Sequence, residues 1–421
     1  MTSAETAAVR KSWLFMIVAA SILMLTMGMR QSMGLIVSPL NSATGLGIVA
    51  ISFAMAVGQF VWGASQPIFG AVADRFGPGR VIVLGGVMLA AGSVLTTVAK
   101  SEWTLIFALG VLSAAGAGAG SFSVLIGATA QHLPPERRSF ASGFINAGGS
   151  FGQFVFAPIN QAVIHSFGWV YAMYLMAASA LATAPLAYWL RGQRKPVVAR
   201  PVAADAAAGA STSAPAAELT LQGQLRIAAR DKSYWCLHAG FFTCGFHIAF
   251  LVTHLPGEVG LCGLSPSVAS ASLAIIGLAN IAGSLGAGYL GNVYRMKWLL
   301  FWMYLTRAVA VLLYMIAPKE PMTFYVFAAV LGATWLATVP PTAGLTAKLF
   351  GVRYLATLFG FTLLSHQIGG FFGAWLGGIA VSSTGSYLWM WWADAALAFA
   401  AALVNLPIRE APVKRAALAR A

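Results

Sequence analysis

Arg30 is the residue in this sequence best suited to hold a charged ligand. It lies inside 13–40 (WLFMIVAASILMLTMGMRQSMGLIVSPL), a stretch apolar for long enough to cross a bilayer, since the hydrocarbon takes about 20 apolar residues of helix. A helix entering near Trp13 carries Arg30 past the midplane. A guanidinium there costs at least ~2.5 kcal/mol on insertion scales, so it is kept where it faces water, a partner or a ligand. On structural grounds alone Arg30 would snorkel to the far interface or pair inside the bundle. No acidic residue stands in this helix or in the apolar runs just after it, and an unpaired fork of donors suits an anion.

Histidines at middle depth come next, because imidazole titrates near neutral pH and donates hydrogen bonds to anions. His247 and His366, the latter followed by Gln367, fall about halfway along their runs and are candidates both for substrate contact and for carrying a coupled proton. His238 and His254 lie nearer the ends and are read as structural. Gln59, Gln66, Ser121, Ser123, Asn146, Gln153, Thr334, Trp335 and Thr338 are further polar groups at middle depth. Singly, such groups are interhelical hydrogen bonds. As a set they offer a mixed polar and aromatic lining, from which Asn146, Gln367 and Trp335 join Arg30, His247 and His366 as substrate-binding candidates. Arg307 and Asp394 each stand about ten positions into their runs and are read as a buried structural pair, with a proton relay through Asp394 as the alternative. The three cysteines, Cys236, Cys244 and Cys262, lack metal spacing and are assigned to packing. Nucleotide loops, catalytic triads and metal clusters are missing from the pattern, so no catalytic residue, metal or cofactor is expected.

Composition says what positions these groups. Of 421 residues, 59% are hydrophobic and 9% charged, far from the roughly 25% charged of soluble domains. Runs of spanning length begin near Trp13, Ile48, Val81, Thr104, Ser139 and Gly168, then near Ser233, Ser267, Lys297, Met322, Tyr354 and Tyr387. The first is too long for a signal h-region and is read as a span. The expectation is an all-α membrane protein of 12 transmembrane helices in two pseudo-symmetric six-helix bundles, 1–191 and 233–421, joined by a cytoplasmic linker at 192–232. That linker is rich in Ala, Pro and Ser, the composition of a tether; its end, 219–230, is expected to form a short surface helix. With the N-terminus inside, 21 Lys and Arg lie in inner segments, whereas Lys100 and Lys319 are the two outside. Both termini are therefore expected in the cytoplasm. The net charge of +14 is largely this bias, and nucleic acid is not an expected partner.

The halves echo each other. Gly70-Ala-Val-Ala-Asp74-Arg75-Phe-Gly77-Pro-Gly-Arg80 joins runs two and three, and Gly288-Tyr-Leu-Gly-Asn292-Val-Tyr-Arg295 joins runs eight and nine, offset by 218. Arg138-x-x-Ala141 and Arg353-x-x-Ala356 open runs five and eleven, offset by 215. Repeated halves are the architecture of transporters whose site lies at midplane between them. Gly70 is expected to let two helices approach closely, Asp74 to cap a neighbouring helix, and Arg75, Arg80, Arg137 and Arg138 to bridge at the inner rim as a conformational gate.

The G-x-x-x-D-R-x-G string at 70–77 resembles the signature loop of the major facilitator superfamily, and the resemblance covers nearly the whole chain apart from tether and tails. Arg137-Arg138-Ser-Phe-Ala141-Ser-Gly143-Phe-Ile-Asn-Ala147-Gly148-Gly-Ser-Phe-Gly152 resembles the opening of span 5 in the monocarboxylate transporter branch and its oxalate/formate exchanger relatives. That resemblance implies a basic residue in span 1, as Arg30 is. It also implies an Asp and an Arg four residues apart on span 8, where this chain has Asn280 and Ser284, and an acidic-Gly motif before span 1 that is missing. The expected function is secondary transport of a small organic anion, a monocarboxylate first, by proton symport or anion exchange. Efflux of drugs or metabolites is the alternative within transport, set back by the lack of an intramembrane acid beside the cavity; a membrane sensor without transport is the alternative outside it. The expected partners are the anion, protons and the lipid bilayer, in a monomer of the bacterial inner membrane.

Overall fold

In the computed structural model, residues 3–130, 135–190, 220–351 and 355–413 are described, and they are helices joined by short turns. Span 1 is Ser3–Gln31, continued after a kink by Gly34–Thr44; span 2 is Ile48–Phe76 and span 3 is Pro78–Thr96. Span 4 is Glu102–Ala119, followed by Phe122–Ala130, span 5 is Pro135–Phe167, and span 6 is Trp169–Trp189. The second set runs as span 7 Lys232–Leu261, span 8 Pro266–Val293, span 9 Met296–Ile316, span 10 Pro321–Phe350, span 11 Leu355–Thr384 and span 12 Leu388–Asn405. Ten helices among the described residues are long and apolar enough to cross a membrane; spans 5 and 11 complete the two sets of six. Leu221–Ala229 is the short helix expected before span 7, with the Thr220 hydroxyl accepting from the Gly223 amide.

Each set of six has its own apolar core. One runs from Phe15 through Trp62 and Leu125 to Leu190; the other is built on Phe246, Phe250, Trp335 and Trp391, with a satellite around Phe241 and Tyr304. Small residues let helices meet backbone to backbone. A Cβ on Gly148 would lie 2.6 Å from the Ala20 carbonyl oxygen, and one on Gly152 would run into the Met24 carbonyl. The glycine spacing of span 5 therefore serves its seam with span 1.

Two departures from regular helix matter for the site. Span 4 carries a π-helical stretch, Ile106–Ser113, and span 10 unwinds between Thr334 and Val339. Pro340 and Pro341 open the second half of span 10, and a proline pair has no amide to continue the ladder.

The two sets touch at the Lys100 and Lys319 end and part towards the basic end. On span 2, Gly63 packs against the Gln367 side chain of span 11; Gly70, two turns further on the same face, would place a Cβ within 4 Å of no described atom. Gly360, two turns inward from Gln367, likewise meets none, nor does Gly143, two turns from Ser150. Nearer the other end, a Cβ on Gly378 would lie 2.5 Å from Ser52, Gly34 abuts the Val252 carbonyl, and Phe53 meets Trp375 with ring centroids 5.6 Å apart. The close approach expected at Gly70 is thus absent from this arrangement, because the halves are spread there.

Candidate functional site

A cavity of about 470 Å³, open mouth included, is walled largely by the first six spans, and Arg30 is the charged side chain in its lining. Met29, Met33, Met55, Gln59 and Ser113 line it from spans 1, 2 and 4, and Val252 of span 7 closes it from the second set. Arg30 is half-buried. Its Nη2 donates to Gln59 Oε1 at 2.5 Å and to the Gly58 carbonyl at 3.4 Å, and the guanidinium lies 4.9 Å from the centroid of the Trp62 ring. None of the described ion pairs includes it. The chemistry is a cation held by a neutral amide, one backbone carbonyl and an aromatic face, with no carboxylate to cancel it.

The other expected substrate contacts do not line this cavity. His247 is fully buried and its Nδ1 lies 2.6 Å from Asp394 Oδ2, so the Asp394 expected to pair with Arg307 is instead the partner of His247. Arg307 turns to the break in span 10. Its Nε donates to Thr334 Oγ1 at 3.3 Å, and its Nη2 donates to the carbonyls of Thr334 and Trp335, with Tyr304 beneath the guanidinium. A helix C-terminus gathers partial negative charge on its last carbonyls, and the unwound residues direct theirs at the cation. The predicted Arg307–Asp394 pair is therefore corrected: equal depth along two spans fixes height, and rotation about each axis decided the partner.

His366 is buried, accepts at Nδ1 from the Gln367 amide nitrogen at 2.9 Å, and sits 5.2 Å centroid to centroid from Phe241; Gln367 packs on Gly63. Trp335 is fully buried in the span 10 break. Its Nε1 donates to Gln31 Oε1 at 3.4 Å, joining the second set to the residue next to Arg30, and its ring stands 5.8 Å from that of His247. His254 bonds the Ala374 carbonyl at 2.7 Å and His238 bonds Ser365 at 2.6 Å, consistent with their structural reading. The three thiols are free.

The departure on span 8 has a clear physical form. Asn280 Nδ2 donates to Ser150 Oγ at 2.6 Å, while Asn280 Oδ1 accepts from the Leu336 amide at 2.8 Å and from Ser284 Oγ at 3.3 Å. Asn146 Nδ2 donates to Ser284 Oγ at 3.4 Å. Where the resemblance implies a charged pair, this chain carries a neutral amide and hydroxyl ladder tying span 8 to spans 5 and 10. Of the gate residues, Arg80 is exposed at the start of span 3; the side chains of Asp74, Arg75, Arg137 and Arg138 lie outside the described residues, as do residues 192–219 of the linker.

Gln59 stands in the sequence among the polar groups at middle depth that together offer a lining, outside the residues expected to contact substrate. Its signal was the i to i+3 spacing of Gln59 and Trp62, which puts amide and indole on one face.

A family model described as Major Facilitator Superfamily matches residues 16–271 and 260–421. Among curated proteins, the chain is 26% identical to monocarboxylate transporter 13 of Rattus norvegicus over 89% of this chain and 84% of the relative. It is 25% identical to the oxalate:formate antiporter of Oxalobacter formigenes over 98% of this chain and 96% of the relative. Among solved structures, it superposes on a bacterial homologue of the human lysosomal transporter Spinster, inward-facing and unoccupied, with a TM-score of 0.66 at 14% identity, covering 94% of this chain and 95% of that one. With two sets of six helices, a matching signature loop and a family match along almost its whole length, the chain is a multi-pass membrane transporter that belongs to the Major Facilitator Superfamily.

Proposed function

We propose that the protein moves a small organic anion, a monocarboxylate first, by alternating access, with Arg30 as the carboxylate anchor. The single observation that carries this is the cavity itself: its one charge is a guanidinium whose side-chain acceptor is a neutral amide. A carboxylate is a stronger acceptor than that amide and matches the guanidinium fork in two parallel bonds. The relatives named for monocarboxylates, oxalate and formate support the same class.

In this reading the protein sits in the bacterial inner membrane with both termini in the cytoplasm, and the arrangement is open to the cytoplasm, since the parted end is the basic one. Residues 192–232 are a cytoplasmic linker between halves 1–191 and 233–421. Asp74, Arg75, Arg80, Arg137 and Arg138 rim the inner mouth as its gate, and the chain works as a monomer. The driving force is proton symport or anion exchange. His247 with Asp394 is the better proton candidate of the two histidines, because the pair reaches the Arg30 helix through Trp335 and Gln31, whereas His366 is engaged by its own neighbour Gln367.

The test is uptake of radiolabelled formate, lactate, pyruvate and oxalate into proteoliposomes, with and without an inward proton gradient. Symport predicts uptake that rises as external pH falls, and exchange predicts pH-independent uptake that requires a loaded lumen. Wild-type vesicles that accumulate none of the four under either condition contradict the carboxylate reading.

A further inference from the structure

We propose that Gln59 is a built-in stand-in for the substrate carboxylate, and that its displacement by substrate is reported directly to the seam between the two halves. The proposal deepens the reading of Arg30 as the anchor and rests on it. The guanidinium of Arg30 has three described partners. The Gly58 carbonyl is fixed backbone, the Trp62 indole is buried and packed, and the Gln59 amide oxygen, at 2.5 Å, belongs to a side chain with rotatable bonds. Of these, Gln59 is the one that can leave without moving a helix. A buried guanidinium stripped of acceptors is costly, so an empty site needs an occupant, and a neutral amide is one that an anion outcompetes.

The same side chain touches the other half. Its Cβ and Cγ lie 3.5 Å from where a Cβ on Gly370 of span 11 would stand. Gly370 lies on the length of span 11 that carries Phe371 and Trp375, whose rings meet Phe53 of span 2 at 6.0 and 5.6 Å. The head of Gln59 therefore reads the cation while its stem forms part of the closed seam. A ligand that turns the head away about χ1 moves Cγ, the stem atom that faces span 11.

Head and stem can be separated by substitution. The variants Gln59→Leu, Gln59→Ala, Gln59→Glu and Arg30→Gln are purified and reconstituted, and uptake of formate, lactate, pyruvate and oxalate is measured as initial rate against concentration. Gln59→Leu keeps the stem and removes the competing acceptor, so the half-saturating concentration should fall at least threefold. Gln59→Ala removes both, so half-saturation should fall similarly while maximal rate lies at least fivefold below that of Gln59→Leu. Gln59→Glu places a permanent carboxylate on Arg30, so half-saturation should rise at least tenfold, and the ligand-free melting temperature should rise in the Arg30 background but not beside Arg30→Gln.

Wild-type half-saturation in the Leu and Glu variants overturns the stand-in, and equal maximal rates for Leu and Ala overturn the link to the seam. Absence of the Arg30-dependent melting rise overturns the contact itself without any transport substrate. Presence of that rise with no carboxylate transported by the wild type retains the contact, overturns the stand-in role and also removes the anchor reading.

Discussion

Arg30 and Arg307 both lie well inside the apolar runs of this protein, and their surroundings differ in kind. Arg307 is fully buried and is held by a hydroxyl and two main-chain carbonyls at the unwound middle of span 10. Arg30 is half-buried, opens on a cavity, and is held chiefly by one amide side chain. Backbone carbonyls cannot be displaced without remaking a helix, while a glutamine can swing aside. The difference bears on the proposed function: fixed acceptors suit a charge that serves structure, and an acceptor that can be exchanged suits a charge that would bind a ligand.

The sharpest way to break that contrast is to remove each cation. Arg307→Leu takes the guanidinium from the Thr334 and Trp335 carbonyls and leaves the Trp335 carbonyl only the weak Cys244 thiol donor, in a helix that has already lost its ladder there. Each buried acceptor left unsatisfied costs about 1–3 kcal/mol, and several are lost together at the break, so this variant should lose its monodisperse size-exclusion peak. Arg30→Gln, by contrast, should melt near wild type, because Gln59 and the replacement glutamine can satisfy one another. A stable, transporting Arg307→Leu protein would erase the distinction between the two sites.

A smaller effect is expected at the second buried charge. His247→Leu leaves Asp394 buried without its 2.6 Å partner, and Asp394→Leu does the same to His247. The double variant should be less damaged than the two single losses added, with a coupling of about 0.5–3 kcal/mol in thermal melts. Simple additivity would separate the pair.

Much of the scaffold is legible in the sequence because bilayer thickness imposes it. Run lengths, the polar gap and the asymmetry of Lys and Arg follow from hydrophobic thickness and insertion, and these are properties of sequence alone. Arg30 is legible for the same reason, since one charge in an apolar run is anomalous at any rotation. What depends on rotation about the helix axis is not legible. Arg307 and Asp394 share a depth, yet Asp394 faces His247 of span 7, and only packing decides that. The unwinding of span 10 is signalled by Pro340 and Pro341, which the run of apolar residues conceals. Gly70 shows a further limit, since a close approach belonging to one arrangement of the halves disappears in another.

The mildest effect expected tests which end of the molecule faces out. Cys262 follows span 7 at the Lys319 end and is half-buried. Burial, with the Glu258 carboxylate nearby, pushes its thiol above the ordinary range despite Lys319. A raised thiol is less ionised at neutral pH, so a membrane-impermeant maleimide added to intact cells should label Cys262 slowly, and faster as pH rises. Labelling that occurs only after the cells are opened would reverse the orientation.

The central claim, that the cavity's cation is an anchor for a carboxylate, is tested most directly by initial uptake of formate, lactate, pyruvate and oxalate by wild type, Arg30→Lys and Arg30→Gln at matched reconstitution and verified melting temperature. The account predicts partial transport by Arg30→Lys, which keeps the charge and loses the fork, and near-complete loss in a folded Arg30→Gln. Full carboxylate transport by a folded Arg30→Gln would contradict it.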